Sequence, residues 1–379
     1  MIPVELASVV DALTPENLVN ALSLGALYAL IAVGYTMVYG IIKLINFAHG
    51  EIYMLGAVWA LGILSIQALT GLNLFVALIP AMILCALVGM TVDWSAYLSL
   101  RRKSVVADWL SIALICWMGI SAIFFKLTDD RSNPLFDETM HMFWLVMIIA
   151  TPVVMALLAL LEKRGLFGYP RAIKSDRINA LITAIGMSLI LQTLVQLILG
   201  ATPKALPVES YPAFFNEQVF WLFGAPVLGK ELAIWVVTLL MVVCLQWLVM
   251  RTKIGAAMRA CSQDPEAAAL MGVSVDKVIA VTFAIGSAMA AVAGVLYAAK
   301  VGGNIEFRMG YYPGLLAFAA AVLGGIGNIR GALLGGVLIG MVQAFSGKPS
   351  EITLPFVVMI IVLLVRPWGL LGKPETTRA

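Results

Sequence analysis

Long hydrophobic runs, separated by short polar or charged segments, repeat along the entire chain. Most runs are roughly 20 residues long, the length that an α-helix needs to cross the hydrocarbon core of a bilayer. The pattern predicts an all-α polytopic membrane protein with about 10 or 11 apolar spans, some of them short enough to be broken or re-entrant helices. The predicted spans lie near 18–42, 51–69, 73–92, 105–127, 142–161, 178–200, 231–250, 278–299, 313–328, 331–346 and 353–366.

The composition excludes a soluble protein of this size. Of the 379 residues, 62% are hydrophobic and 12% are charged, and a soluble surface that apolar would aggregate. The net charge of +3 and the lack of a basic stripe give no reason to expect nucleic acid as a partner. We therefore expect residues 1–379 to form a single multi-pass domain in a lipid bilayer.

Basic residues predict which loops face the cytoplasm. The loops 128–141 and 201–230 are acidic or nearly neutral and should lie on the opposite side. This pattern places the N-terminus outside and the C-terminus inside. The N-terminal segment carries neither lysine nor arginine before its first span, so we expect no cleaved signal peptide. The basic segments are 101–103, 163–177, 251–277 and 366–378.

The cytoplasmic loop 251–277 contains a short helix with its own start and stop signals. Asp264 is a good N-cap, Pro265 suits the first helical position, and Glu266 adds negative charge at the helix N-terminus. Gly272 can adopt the left-handed conformation that ends a helix. Such a short helix is unstable alone in water, so it either lies on the bilayer as a connector or inserts into a partner protein. The residues predicted to form it are Arg259, Asp264, Pro265, Glu266, Ala267, Ala268, Ala269, Leu270 and Gly272.

Five segments are distinctive in combination. They are "NALSLGALYALIAVGYTMVYGIIKLINFAHGEIYMLGA", "LITAIGMSLILQ", "GAAMRACSQDPEAAALMGVSVDKVIAVTFAIGSAMAAVAGVLYA", "GLLAFAAAVLGGIGNIRGALLGGVLIG" and "LLVRPWGLLG". Their sequences and their order resemble the branched-chain amino-acid ABC transporter permeases of the LivH type. The resemblance covers most of the chain.

The resemblance implies the permease subunit of an ATP-driven importer for branched-chain or other hydrophobic amino acids. It implies two ABC ATPase subunits, a second permease of the LivM type or a second copy of this chain, and an extracytoplasmic binding protein that delivers substrate. Loop 251–277 would be the coupling loop that receives motion from the ATPase subunits. The chain itself is then no enzyme and needs no cofactor, and its "SGKPS" segment lacks the spacing of a phosphate-binding loop.

Two other functions fit the sequence less well. A related ABC permease for urea or a short amide shares the scaffold, and the "GLLAFAAAVLGGIG" block favours the amino-acid branch. An ion-coupled secondary carrier should place acidic residues inside its spans, whereas Glu51 and Asp93 stand near span ends.

The chain departs from the LivH pattern after "VDWSAYLSLRR". About 70 residues with two extra apolar spans separate this segment from "RINALITAIG". We interpret residues 104–161 as an inserted two-helix hairpin, which leaves the orientation of the later spans unchanged because it crosses the membrane twice.

The segment "GIIKLINFAHGEIYMLGA" is the best candidate for a helix break that lines a translocation path. A zwitterionic amino acid cannot cross hydrocarbon unaided, and broken helices supply polar groups within a membrane. Asn46, His49, Gly50 and Glu51 are the candidate residues. The alternative is an interfacial loop whose polar groups contact headgroups or cap the next helix.

Glycines recur at helical spacing in two later spans. Gly286 and Gly294 form one stripe, and Gly327, Gly331 and Gly335 form another, which favours close helix packing. The spacing after Gly327 does not fit a dinucleotide-binding loop. The chain has two histidines and four cysteines without ligand spacing, so we expect no metal site.

Overall fold

The computed structural model describes residues 14–66, 73–98, 177–302, 305–346 and 350–372. Helices dominate this part of the chain. The predicted spans near 105–127 and 142–161, and with them the inserted hairpin 104–161, lie outside the described residues. The helices are α1 Pro15–Ile42, α2 His49–Ser65, α3 Leu74–Val92, α4 Arg177–Leu199, α5 Gly229–Arg251, α6 Lys253–Gln263, α7 Pro265–Leu270, α8 Val275–Val301, α9 Tyr311–Gly324, α10 Ile329–Ser346 and α11 Thr353–Val365.

Six of the described helices are long and apolar enough to cross a membrane: α1, α3, α4, α5, α8 and α10. Helices α9 and α11 are apolar but shorter. A π-helical turn, Asp93–Leu98, continues α3, and a small antiparallel hairpin, β1 Gln218–Leu222 and β2 Ala225–Leu228, precedes α5. The prediction of an all-α polytopic membrane protein is confirmed, with the hairpin as a small addition.

Helix α1 begins and ends at residues with specific backbone roles. Thr14 caps its start by accepting a hydrogen bond from the backbone N–H of Asn17 (3.2 Å), and Pro15 occupies the first turn. At the other end Lys43 adopts a left-handed conformation (φ 55°), and its N–H donates to the carbonyl of Tyr39 (2.9 Å). The chain is not helical again until α2, which begins at His49.

The contacts divide the chain into two units. Unit 1 comprises Met1–Lys43, Pro212–Val273 and Tyr311–Ala379, and unit 2 comprises Leu44–Tyr211 and Ser274–Gly310. Unit 1 thus contains α1, the hairpin, α5–α7 and α9–α11, and unit 2 contains α2–α4 and α8.

The core of unit 1 is the close crossing of α1 and α10. A Cβ atom added at Gly336 would lie 2.5 Å from the Cα of Ala29, and one at Gly25 would lie 2.8 Å from the Cα of Val337. No larger residue fits at these distances without moving backbone. Small residues therefore set the separation of the two helices, as is usual between membrane helices.

The predicted glycine stripe of α10 divides between a helix and a turn. Cβ atoms at Gly331 and Gly335 would collide with the carbonyls of Gly324 and Ala320 on α9. Gly327 instead lies in the turn before α10 with φ +97°, where an added Cβ would meet no atom within 4 Å. Its role is conformational, since only glycine adopts this backbone readily; the prediction of helix packing for Gly327 is wrong.

Unit 2 is held together by α8. A Cβ at Gly56 of α2 would lie 2.5 Å from the Cα of Ala291, and Gly294 faces the carbonyl of Tyr53. Gly286 is buried within α8. The small residues of α8 thus allow α2 to pack directly on its backbone.

Candidate functional site

The part of loop 251–277 that belongs to unit 1 folds into two short helices. Thr252 caps α6 by accepting a hydrogen bond from the N–H of Gly255 (3.0 Å). Helix α6 is amphipathic: it buries Met258 and Cys261 and exposes Arg259. Burial raises the pKa of the Cys261 thiol, so this group stays neutral and unreactive at neutral pH.

Helix α7 has the caps that the sequence predicts. One carboxylate oxygen of Asp264 accepts hydrogen bonds from the N–H groups of Glu266 and Ala267 (3.0 Å each). At the other end Gly272 has φ +84°, and its N–H donates to the carbonyl of Ala269 (3.0 Å). The next N–H, that of Val273, donates to Ala268 (3.0 Å), which completes a Schellman motif. The conformation of α7 is therefore fixed at both ends by local hydrogen bonds.

The side chains of α7 and its C-cap differ sharply in exposure. Leu270 is 89% exposed and Met271 is 85% exposed, whereas Ala268 is 5% exposed. Two large apolar side chains thus project from the C-terminal end of a capped helix, which is costly in water and typical of a docking contact. Ala268 faces inward, so an aspartate there would disturb packing within unit 1 rather than a docking surface. Met271 was not among the predicted residues.

The residues predicted to line a path lie at the start of α2 in unit 2. Asn46, His49 and Glu51 are all buried, and so is Gly50. The Oδ1 of Asn46 accepts a hydrogen bond from the N–H of Ala48 (3.1 Å). Asn46 therefore satisfies a backbone donor at the helix start, which is the capping role that the alternative interpretation gives to the polar residues of this segment.

Glu51 is the centre of a buried polar cluster. Its Oε1 accepts hydrogen bonds from the hydroxyl of Ser188 (3.0 Å) and from the Nε2 of Gln192 (2.7 Å), both on α4. Its Oε2 has no hydrogen-bond partner among the described residues and faces Gly310, where an added Cβ would lie 2.5 Å away. The carboxylate therefore retains one oxygen that can accept a further hydrogen bond.

The position of the Glu51 cluster along α4 is informative. Ser188 and Gln192 belong to the apolar span Leu181–Leu199 and stand well inside both of its ends. An ionisable group at that level is expensive and is usually retained for function. Ser188 and Gln192 were not among the predicted residues, although two polar residues spaced by four in an apolar span indicate a polar face on the helix.

A family model described as "Branched-chain amino acid transport system / permease component" matches residues 17–169 and 105–365. Among known proteins, the high-affinity branched-chain amino acid transport system permease protein LivH of Salmonella typhimurium is 35% identical over 373 residues, covering 96% of this chain and 97% of the relative. The permease protein BraD of Pseudomonas aeruginosa is 35% identical over 368 residues with the same coverage.

A more distant similarity covers part of the chain. The autoinducer 2 import system permease protein LsrC of Escherichia coli O9:H4 is 32% identical over 133 residues, or 35% of this chain and 37% of the relative. No solved structure matches. The matches with LivH and BraD run nearly from end to end and agree with six helices able to span a membrane. The chain is a multi-pass inner-membrane protein that belongs to the family of branched-chain amino acid transport system permease components.

Proposed function

We propose that this protein is the membrane-spanning permease subunit of an ATP-driven importer for branched-chain or other hydrophobic amino acids. The observation that carries the substrate class is the 35% identity to LivH and BraD over 96% of the chain. An extracytoplasmic binding protein delivers the amino acid. Two ABC ATPase subunits hydrolyse ATP on separate chains, and a LivM-type permease or a second copy completes the pathway.

The shape of α7 supports dependence on an ATPase partner. A helix of six residues does not persist alone in water, and here its caps hold Leu270 and Met271 in fixed positions. Because these two side chains are exposed, an apolar cleft on a partner would bury them and gain about 1.5–3 kcal/mol for each. Docked in this way, α7 moves with the ATPase subunits and transmits that motion to α8, which follows it directly in the chain.

The Glu51 cluster supports a polar step in the membrane interior. The substrate carries an ammonium and a carboxylate, and each needs hydrogen-bond partners when water is removed. The free Oε2 of Glu51 is an acceptor of the kind that an ammonium requires. We therefore assign Asn46, His49, Gly50 and Glu51 to the translocation path, with Ser188 and Gln192 holding the Glu51 carboxylate in place.

Substrate competition tests the proposed function. The assembled transporter is reconstituted in proteoliposomes, with its binding protein added outside and ATP enclosed inside. These proteoliposomes should take up radiolabelled leucine. Excess unlabelled isoleucine or valine should reduce this uptake, whereas urea at the same concentration should not. If the transporter takes up urea and none of the three branched-chain amino acids, the proposed substrate class is wrong and the protein is a permease for urea or a short amide.

A further inference from the structure

Unit 1 contains an open cavity of about 1010 Å³ at the end where α1 finishes. Five parts of the unit line it: the end of α1, the ends of α5 and α6, the turn between α9 and α10, and the segment that follows α11. The turn is held to that last segment by Asn328, whose Nδ2 donates to the carbonyl of Leu371 (2.8 Å). The cavity is therefore built by elements that are tied together.

The charge of the cavity has one sign. Lys43, Arg259 and Arg330 line it, and among the described residues no aspartate or glutamate does. Within the described part of the chain none of the three forms an ion pair; Lys43 lies over the ring of Tyr39 (5.8 Å), and Arg259 donates to the carbonyl of Val249. Three cations converging without a counter-charge favour an anionic ligand.

Apolar surface continues from the cavity along two helices. On α5, Trp247 and Met250 are exposed, and on α11, Leu364 and Val365 are exposed. Met250 and the half-exposed Trp368 also line the cavity. These apolar faces can contact lipid acyl chains. A tryptophan that lies between an apolar and a charged surface is typical of the headgroup region of a membrane.

We propose that this cavity binds the headgroup of an anionic phospholipid. Lys43 and Arg330 contact the phosphate, and the acyl chains lie along the exposed faces of α5 and α11. The cavity stands on the side that the basic loops predict to be cytoplasmic, where basic pockets between membrane helices meet anionic lipid. The combination of cations with adjoining hydrocarbon-compatible surface favours a lipid over a soluble phosphate, which would use the cations alone.

Lipid binding to the full chain in detergent tests this proposal. Native mass spectrometry should detect phosphatidylglycerol bound with higher affinity than phosphatidylcholine of the same chain length. The double variant Lys43→Gln/Arg330→Gln should lose most of that preference, with about a fivefold weakening for each cation removed. The control Lys230→Gln/Arg308→Gln removes one lysine and one arginine that do not line the cavity, and it should bind phosphatidylglycerol as the wild type does.

Each other outcome overturns the proposal. If the wild type binds the two lipids equally, the proposal is overturned. This result needs no variant, so the proposal can be tested even if the double variant fails to fold. Displacement of phosphatidylglycerol by an equal concentration of glycerol phosphate would show that the acyl chains contribute nothing. If assembly with the ATPase subunits excludes phosphatidylglycerol and the double variant abolishes that assembly, the cavity belongs to a protein partner.

Discussion

Helix α7 of unit 1 and the Glu51 cluster of unit 2 each contain a carboxylate at the start of a helix, but the two carboxylates are used differently. Asp264 is exposed and bonds to N–H groups two and three residues ahead of it. Glu51 is 2% exposed and bonds to side chains 137 and 141 residues away. The first arrangement fixes the helix that we propose as a docking surface. The second holds an ionisable group with one unused oxygen at an apolar level, so we expect substitutions at the two sites to have different effects.

The largest effect is expected at the tip of α7. Replacing Leu270 and Met271 with asparagine should reduce ATP-driven uptake by roughly 30-fold or more, because a buried apolar contact of this kind is worth about 2 kcal/mol. The thermal stability of the isolated permease should not change, since both side chains are exposed. Uptake assays and a melting curve of the same preparations measure both quantities.

The exchanged variant Leu270→Met/Met271→Leu is the matched control. It keeps the apolar area at both positions and should retain most uptake. Normal uptake by the asparagine variant would show that α7 is a connector on the bilayer, the alternative that its short length also allows.

The next effect is expected at Glu51. Glu51→Gln keeps the shape and one acceptor for Ser188 and Gln192 but removes the charge, so it should lower uptake about tenfold with little change in stability. Glu51→Ala removes the acceptor and leaves the part-buried Ser188 and Gln192 without this partner, which costs about 1–3 kcal/mol. Measuring both uptake and the free energy of unfolding for the two variants separates an effect on transport from an effect on stability. A glutamine variant that transports normally would mean that Glu51 only stabilises unit 2.

A smaller effect is expected from the cap of α7. Asp264→Ala removes the acceptor for two backbone N–H groups and should destabilise the helix by about 1 kcal/mol. Hydrogen exchange of residues 266–271 should then be roughly fivefold faster. Asp264→Asn, which preserves the cap, should exchange as the wild type does; equal exchange in all three proteins would contradict the local origin of this helix.

The smallest effect is expected from Ser188→Ala. This change removes one of the two hydrogen bonds to Oε1 of Glu51 and leaves that from Gln192. A loss of about 1 kcal/mol in the free energy of unfolding follows from one hydrogen bond, and denaturation in detergent measures it. A loss as large as that of Glu51→Ala would mean that Ser188 has a further role in the packing of unit 2.

The same contrast explains what could be predicted from sequence. The caps of α7 depend on residues a few positions apart, so Asp264, Pro265 and Gly272 were sufficient to predict them. The partners of Glu51 depend on how α2 and α4 pack, which no local pattern specifies.

Exposure was equally hard to predict within α7. Ala268 and Leu270 share one short helix, and only the packing of that helix on unit 1 decides that Ala268 is buried and Leu270 is exposed. Gly327 and Gly331 show the same limit, because their spacing of four is helical while Gly327 lies in the turn before α10 and Gly331 lies within that helix.

The most direct test of the account is nucleotide-dependent transport. The permease should be reconstituted in liposomes with the binding protein, with and without its ATPase subunits, and leucine accumulation measured with ATP present inside. Leucine should accumulate against a gradient only when the ATPase subunits and ATP are both present, and replacing Leu270 and Met271 with asparagine should reduce this accumulation by roughly 30-fold or more. Equal accumulation without ATPase subunits or nucleotide would contradict the account.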